Sequence, residues 1–399
     1  MTESDDSSVK KVAIIGANEF QNPLILAANA RGYETHVFAW QDGSIGERTA
    51  SHFYPISIVE IDAILEKCRE IGIDAVCSIG SDLAAIAVDT IADALHLPSN
   101  PPETARIATN KVDMRQAFLD AGLSVPRFVR ATPGLTEAEL ERILDTVEVP
   151  AIVKPTDRSG SRGVCKITAR DTALLRKAIE QACSQSFEHA AIVESFLTGK
   201  EYSCECITDR GRHTMLAVTR KYTTGAPHFI ETAHIEPSGL SEKMLQDVQE
   251  TVFKGLDALH VTCGASHSEF RIEPHTGRIQ LIEIGARMGG DCIGSDLVPL
   301  STGIDFVGQV LDTALGIPPS FESMPHHACS AIRFVFNQAD FDHFTETMRT
   351  SPESVYRISE IAVSDKDEVT DSSTRYGFYI LTGEDRAALL QMLHVEDDE

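Results

Sequence analysis

The sequence predicts an α/β chain of several domains, with a parallel sheet in the N-terminal third and a small α+β tail at the other end. Three observations predict it. From Lys11 to Leu95, apolar strand-like runs alternate with helical stretches as βαβαβα, the order of a parallel sheet with right-handed crossovers. Pro98 to Pro102 interrupts that alternation and marks a boundary. The 399 residues, 42% of them hydrophobic, suffice for two or three domains with cores of their own.

Taken in order, Lys11 to Ile15 reads as a buried strand ending at Gly16, followed by a helical stretch from Asn22 to Arg31 and a strand from Glu34 to Trp40. A helix from Ile58 to Ile71, a strand from Ala75 to Ile79 and a helix from Leu83 to Leu95 complete the unit. Gly16 lacks the rest of a G-x-G-x-x-G fingerprint, and no acidic residue closes the second strand where a ribose needs one. The loops Gly16 to Phe20 and Gly80 to Asp82 are therefore expected to line a substrate pocket rather than a dinucleotide site. After the boundary, Thr109 or Asn110 can cap a helix that runs to Ala121. Lys111 in its first turn opposes the helix dipole unless an anion lies near, and a solvated lysine is the plain alternative.

Val149 to Lys154 reads as a strand, and Cys165 to Thr168 as its return. Between them TDRSGSRGV has two glycines that let backbone N–H groups approach an oxyanion and two serines that add donors, although a structural hairpin turn has the same composition. No G-x-x-x-x-G-K-[ST] occurs, so this is no Walker A loop. A helix from Asp171 to Ala182 leads to the strand Ala190 to Glu194 and a further strand, Glu201 to Thr208. Glu194 and Glu201 leave two acceptors beside a short connection. Arg220, Lys221, His228, Glu231 and His234 read as mixed charge in a loop that contacts substrate, ahead of a helix from Ser241 to Leu259.

Val261 to Ile272 and Arg278 to Ile284 flank Pro274-His275-Thr276-Gly277 and read as a β-hairpin. Centred on Thr276, the pair sets Glu269 opposite Glu283, with Phe270, Ile272, Ile282 and Ile284 on the apolar face. Carboxylates about 5 Å apart repel by roughly 3 kcal/mol at an effective dielectric near 20. A cation between them relieves this, and Mg²⁺ takes such ligands together with phosphate oxygens. A solvated pair steadied by Arg271 or Arg287 is the alternative. Arg287 follows four residues after Glu283, and Gly289 and Gly290 are expected to leave backbone amides open to a developing negative charge. Thr302 to Leu315 reads as a covering helix. The strands AIRFVF and RYGFYILTG and a helix from Asp385 to Leu393 make up the tail, with an acidic end, VEDDE, that should fray.

Composition narrows the function. A net charge of −25 argues against nucleic acid and anionic membrane as partners. No apolar run reaches spanning length, and the start, MTESDDSSVKK, lacks a signal peptide's apolar region. Nine cysteines without a C-x-x-C pair point to reduced thiols in a cytoplasm. His326, His327 and Cys329 lack a fourth ligand to close a zinc site and read as strand or surface residues.

Lys111, the run VKP with Lys154, the loop SGSRG, VESF with Glu201 seven residues past Glu194, HSEFR with Glu269, and LIEIGARMGGD with Glu283 and Arg287 occur in an order that closely resembles the ATP-grasp carboxylate-amine ligases. The likeness runs from about Lys11 to Gly316, and TGAPHFIE with its following histidine is most similar to the L-amino-acid ligase branch. It implies an ATP-grasp fold, with an N-terminal parallel domain over 1–105, a small central lid subdomain over 106–210, and a C-terminal α+β part over 211–399. It also implies roles. Lys111 and Lys154 would bind ATP phosphates under a loop of Ser159, Gly160, Ser161 and Gly163. Glu194 with the Phe196 and Leu197 backbone would meet adenine, and Glu201 the ribose. Glu269 and Glu283 would hold one or two Mg²⁺, or Mn²⁺ in their place. Arg287, Gly289 and Gly290 would contact an acyl phosphate, with His234 near the reacting groups or merely structural.

Many members carry an asparagine two residues after the second glutamate, where this chain has Gly285, so two carboxylates suffice or Asp291 or water supplies the missing oxygen. The implied activity joins a small-molecule carboxylate to an amine with release of ADP. A purine-type ligase acting on a ribotide and a non-catalytic ATP-binding sensor are the alternatives. Dimers are common in the family, which leaves a homodimer open.

Overall fold

The computed structural model describes residues 9–364 and 369–395. The acidic end falls outside these residues except for Val395. Four strands, β1 (Lys11–Ile15), β2 (Glu34–Phe38), β3 (His52–Tyr54) and β4 (Ala75–Cys77), form a parallel sheet in the order β3-β2-β1-β4. Helices Asn22–Ala30 and Phe306–Ala314 cover one face, and Ile61–Ile71 and Asp82–Ala94 the other. Both faces are covered, so β1 after Lys11 and β4 are apolar and read as continuous runs, while β2 is apolar only at its C-terminal end. The short edge strand β3 lacks that signal and was not expected. β1 lies between β2 and β4, so the loops after β1 and β4 diverge at a topological switch point, where ligands of open α/β sheets bind.

A second sheet is antiparallel: β5 (Phe128–Ala131), β6 (Ala151–Pro155), β7 (Cys165–Ile167) and β8 (Ala191–Ser195), in the order β5-β8-β6-β7. Helices Glu137–Thr146 and Thr172–Gln185 back it. The first of these begins in a capping box, in which the Thr136 side chain accepts from the Glu139 amide and the Glu139 side chain from the Thr136 amide.

The third sheet has eight strands: β9 (Lys200–Asp209), β10 (Arg212–Thr223), β11 (Glu231–Glu236), β12 (Cys263–Ile272), β13 (Ile279–Gly285), β14 (Cys329–Phe334), β15 (Val355–Ile358) and β16 (Phe378–Gly383). Their order is β13-β12-β9-β10-β11-β14-β16-β15, with every pairing antiparallel. β9 belongs to the large sheet because Tyr202, Cys204 and Cys206 pack with Phe270 and the helix Glu242–Ala258. Met114 and Phe118 of the helix Lys111–Asp120 join the same core. The small sheet thus ends at Ser195.

Other expectations shift for local reasons. The covering helix from Thr302 to Leu315 is two helices, Val298–Thr302 and Phe306–Ala314, because Gly303 takes a left-handed conformation and Asp305 starts the second by accepting from the Gly308 amide. In the C-terminal tail β14 pairs with β11 and extends the large sheet. Lys221 lies in β10, and Glu231 and His234 in β11, rather than in one loop. Among the described residues, no helix is long and apolar enough to cross a membrane.

Glu236 is fully buried on β11, where the Thr219 and Ser301 hydroxyls donate to it at 2.6 and 2.9 Å, and burial raises its pKa to about 8. The native chain keeps this proton where the unfolded chain, with an ordinary value of 4.5, has lost it. Its contribution to stability is therefore fully present below 4.5 and falls as pH rises towards 8. Urea denaturation of Glu236→Gln should show a flatter decline than wild type between about pH 5 and about pH 8.

Candidate active site

A cavity of about 470 Å³ opens between the small sheet, the large sheet and the loops at the switch point. Asn18, Phe20, Gly80 and Asp82 come from those loops, as expected. Fourteen of the sixteen residues to which the resemblance gives roles line it, all but Gly163 and Gly289, and of the mixed-charge stretch Lys221, Glu231 and His234 do, whereas Arg220 and His228 do not. The chain has 60 acidic and 35 basic residues, yet this wall has eight Lys and Arg against seven Asp and Glu. Such a concentration of cations in an acidic protein suits a polyanionic ligand.

Glu269 on β12 pairs with Glu283 on β13, as the hairpin reading requires. A register shift follows at once: Phe270 pairs with Leu281, which leaves Ile282 as the extra residue of a bulge. Leu281 therefore enters the core at 1% exposure, while Ile282, expected there, lines the cavity beside Glu283. The bulge re-aims the carboxylate while the apolar face stays buried.

Cations meet both glutamates. Lys111 Nζ lies 3.0 Å from Glu283 and donates to the Arg158 carbonyl at 2.8 Å. Asn110, the cap of its helix, accepts from the Val112 amide at 3.0 Å. Lys221 donates to Glu269, and the His267 ring holds that carboxylate at 3.2 Å through Nε2 and Glu205 through Nδ1. Burial opposes the charged imidazole, but Glu205 and Glu269 prevail and raise its pKa to about 9. Burial also works against the Glu269 anion, and Lys221 and His267 reverse it, holding the carboxyl well below its usual range. These two carboxylates fit a hard divalent ion that arrives with the oxygens of a polyanionic ligand, whose charge offsets the surrounding cations.

Lys154 is buried with Glu194, 2.6 Å away, and Arg115 Nε donates to the same carboxylate at 2.8 Å. Burial would raise the Glu194 pKa, yet Arg115 and Lys154 hold it at about 2. Burial also lowers the pKa of Lys154. Glu194 thus serves first to fix a lysine. Arg115, fully buried four residues after Lys111 on one helix, was missed in the sequence because an interior arginine has no pattern of its own. The adenine groups are also partly used. The Phe196 amide donates to the Pro150 carbonyl at 2.9 Å, and the Leu197 carbonyl accepts from Arg271 at 2.8 Å. Glu201 accepts from the same arginine at 2.8 Å, and the Arg271 guanidinium lies 5.0 Å from the Phe196 ring centroid.

In the glycine loop, the Ser161 hydroxyl donates to the Phe229 carbonyl at 3.0 Å, which ties the loop to the turn between β10 and β11. Gly163 is a packing position: a Cβ there would meet Pro155 at 3.1 Å and Gln185 at 3.2 Å. At the other end of the cavity His234 is fully buried, and neither ring nitrogen has a hydrogen-bond partner among the described residues. Burial lowers its pKa, which keeps the ring neutral, and Nε2 lies 3.7 Å from Asp291. Asp291 in turn accepts from Arg375 at 2.9 Å. Arg375 comes from an irregular C-terminal segment with no readable motif, so only the fold places it here.

Residues 147–296 match a family model described as an ATP-grasp domain. The chain carries an ATP-grasp domain. Its structure has the ATP-grasp fold, with a TM-score of 0.79 to an L-amino acid ligase from Bacillus licheniformis, 22% identical and matched over 96% of each chain. Among curated proteins it is 28% identical over 223 residues to a D-alanine–D-alanine ligase of Polaromonas naphthalenivorans, covering 52% of this chain and 66% of that one. It is also 28% identical over 250 residues to an alanine–anticapsin ligase of Bacillus subtilis, covering 58% of this chain and 52% of that one. The chain spans between about half and two thirds of the length of the curated relatives it first matches, 59%, 66% and 52%.

In the cavity Arg287 donates from Nε to Asp82 at 2.7 Å. A Cβ on Gly285 would lie 3.0 Å from its guanidinium carbon. The place beside Glu283 that an asparagine would take is filled by a cation from two residues on. Asp291, a possible substitute ligand, is engaged by Arg375. Gly289, expected to offer its amide to substrate, donates instead to Glu205 at 3.2 Å, and a Cβ there would meet His267 at 2.7 Å. Gly290 has no atom within 4 Å of such a position and lines the cavity. Gly289→Ala should accordingly cost about 1–3 kcal/mol of stability in urea denaturation, whereas Gly290→Ala should leave stability within about 0.5 kcal/mol of wild type.

Proposed function

We propose that this protein is an ATP-dependent ligase that activates the carboxylate of a small molecule, an amino acid by preference, as an acyl phosphate and joins it to an amine. The observation that carries the reading is the meeting of Glu269 and Glu283 across β12 and β13 with Lys111, Lys154 and Arg287 in one cavity. A free carboxylate is too poor an electrophile for an amine at neutral pH. Its oxygen attacks the γ-phosphorus of ATP and ADP leaves. The amine nitrogen then attacks the carbonyl carbon, phosphate departs and the amine proton is lost.

Lys111 and Lys154 hold phosphate oxygens, and the loop around Ser159 to Ser161 closes over them and excludes water from an intermediate that hydrolyses readily. Their burial and fixed partners mean that little reorganisation is needed when charge moves. Glu269 and Glu283 would hold Mg²⁺, or Mn²⁺ in its place, and the ion would supply a Lewis acid for the charge on the transferring phosphoryl. Arg287 and the Gly290 amide face the acyl phosphate oxygens. His234, neutral and with both nitrogens unsatisfied, either takes the amine proton or positions the acyl group.

The decisive measurement is ADP release over a matrix of amino-acid pairs, with mass spectrometry of the product. Turnover with an aminoimidazole ribotide and bicarbonate, and none with amino acids, would move the assignment to the purine type. Tight ATP binding without ADP release on any substrate would make the protein a sensor. Glu283→Ala should abolish ADP formation with an unchanged circular dichroism spectrum, and retained activity would overturn this reading. His234→Ala should lower amide formation by about 10²-fold or more while ATP affinity, measured by calorimetry, stays near wild type.

A further inference from the structure

Away from the cavity, at the start of the second strand of the N-terminal sheet, three donors converge. Glu34 and His36 are two residues apart on β2 and share a face, and His36 pairs in parallel register with His52 of β3. The imidazoles stack with centroids 4.8 Å apart and an interplanar angle of 17°. Nε2 of His36 lies 2.9 Å and Nε2 of His52 3.3 Å from the same oxygen, Oε1 of Glu34. The three donor atoms lie within 4.8 Å of one another. Ligands bound at about 2.0–2.1 Å to one tetrahedral ion are about 3.3 Å apart, so the two histidine–glutamate separations are near those between ligands of one ion.

We propose that Glu34, His36 and His52 form a binding site for one divalent transition ion of the zinc class, separate from the nucleotide cavity. Two imidazoles with one carboxylate select that class over Mg²⁺ or Ca²⁺, which take oxygen ligands. The surroundings suit it. His36 is buried, and its other nitrogen, Nδ1, lies 3.1 Å from the Tyr54 hydroxyl. That hydroxyl donates or accepts equally well, so it orients the ring both when Nε2 carries a proton to Glu34 and when Nε2 gives it up to a metal. The exposed side of His52 leaves a path for the ion and room for water in the remaining position.

None of the three residues lines the cavity, and Glu34 is at the N-terminal end of its strand, whereas the cavity loops leave the C-terminal ends. Occupancy would clamp the edge pair β2–β3 and stabilise the native state by mass action.

The test titrates Co²⁺ and Zn²⁺ separately into the nucleotide-free full chain, followed by calorimetry, the visible Co²⁺ spectrum and thermal unfolding. We expect one site per chain that His52→Ala and Glu34→Gln weaken at least about tenfold, with a raised unfolding temperature in wild type only. The same site should persist in Glu283→Ala and with ATP bound, and His52→Ala should release ADP at the wild-type rate with Mg²⁺. Both substituted side chains are partly exposed, so the variants should fold. No Co²⁺ binding, binding unchanged by His52→Ala, or binding lost in Glu283→Ala would overturn the proposal.

Discussion

Two carboxylates held face to face inside a protein need cations, and the candidate site is organised by how that need is met. Lys221 reaches Glu269 from β10, and Lys111 reaches Glu283 from a helix in another part of the chain. Neither lysine is near its partner in sequence. The repulsion across β12 and β13 therefore draws the helix Lys111–Asp120 and the centre of the large sheet to one point. The bulge at Ile282 makes the arrangement compatible with a core, since it turns Glu283 outward while Leu281 and Phe270 stay buried.

The same rule recurs at each join between parts. The small sheet contributes Lys154 and Glu194, and Arg115 from the helix shared with Lys111 closes that pair into a buried triad. Breaking one member of such a group leaves an uncompensated charge, which is why its geometry is well defined. On the other side, Arg287 joins Asp82 of the N-terminal domain to the strand that carries Glu283. Asp291 and Arg375 do the same for the C-terminal segment. A phosphate-bearing ligand entering this cavity exchanges partners with charges already fixed in place, so its binding is coupled to the contacts that hold the parts together.

Glycine is used here for space rather than for freedom. Gly285 leaves room for the Arg287 guanidinium, and Gly289 lets the backbone approach the Glu205–His267 pair. In the sequence Gly289 reads as facing substrate, and Gly285 as standing in the place of a metal-ligating asparagine. Both instead face other side chains of the protein, and only Gly290 is open.

The sequence by itself determined the parallel N-terminal unit, the hairpin register that sets Glu269 against Glu283, and most of the residues that line the cavity. These follow from period, from turn residues and from charged side chains ending apolar strands, all of which are local. It could not reveal Arg115, Glu205 or Arg375, or that Glu194 and Glu201 are spent on Lys154 and Arg271, because each partnership joins residues far apart in the chain. It also left open which sheet β9 and the C-terminal strands join, because that is chosen by packing against Phe270 and β11 rather than by their own composition. Only the tertiary structure decided which charges neutralise one another, because that depends on distances of a few ångströms between segments that the chain order leaves unrelated.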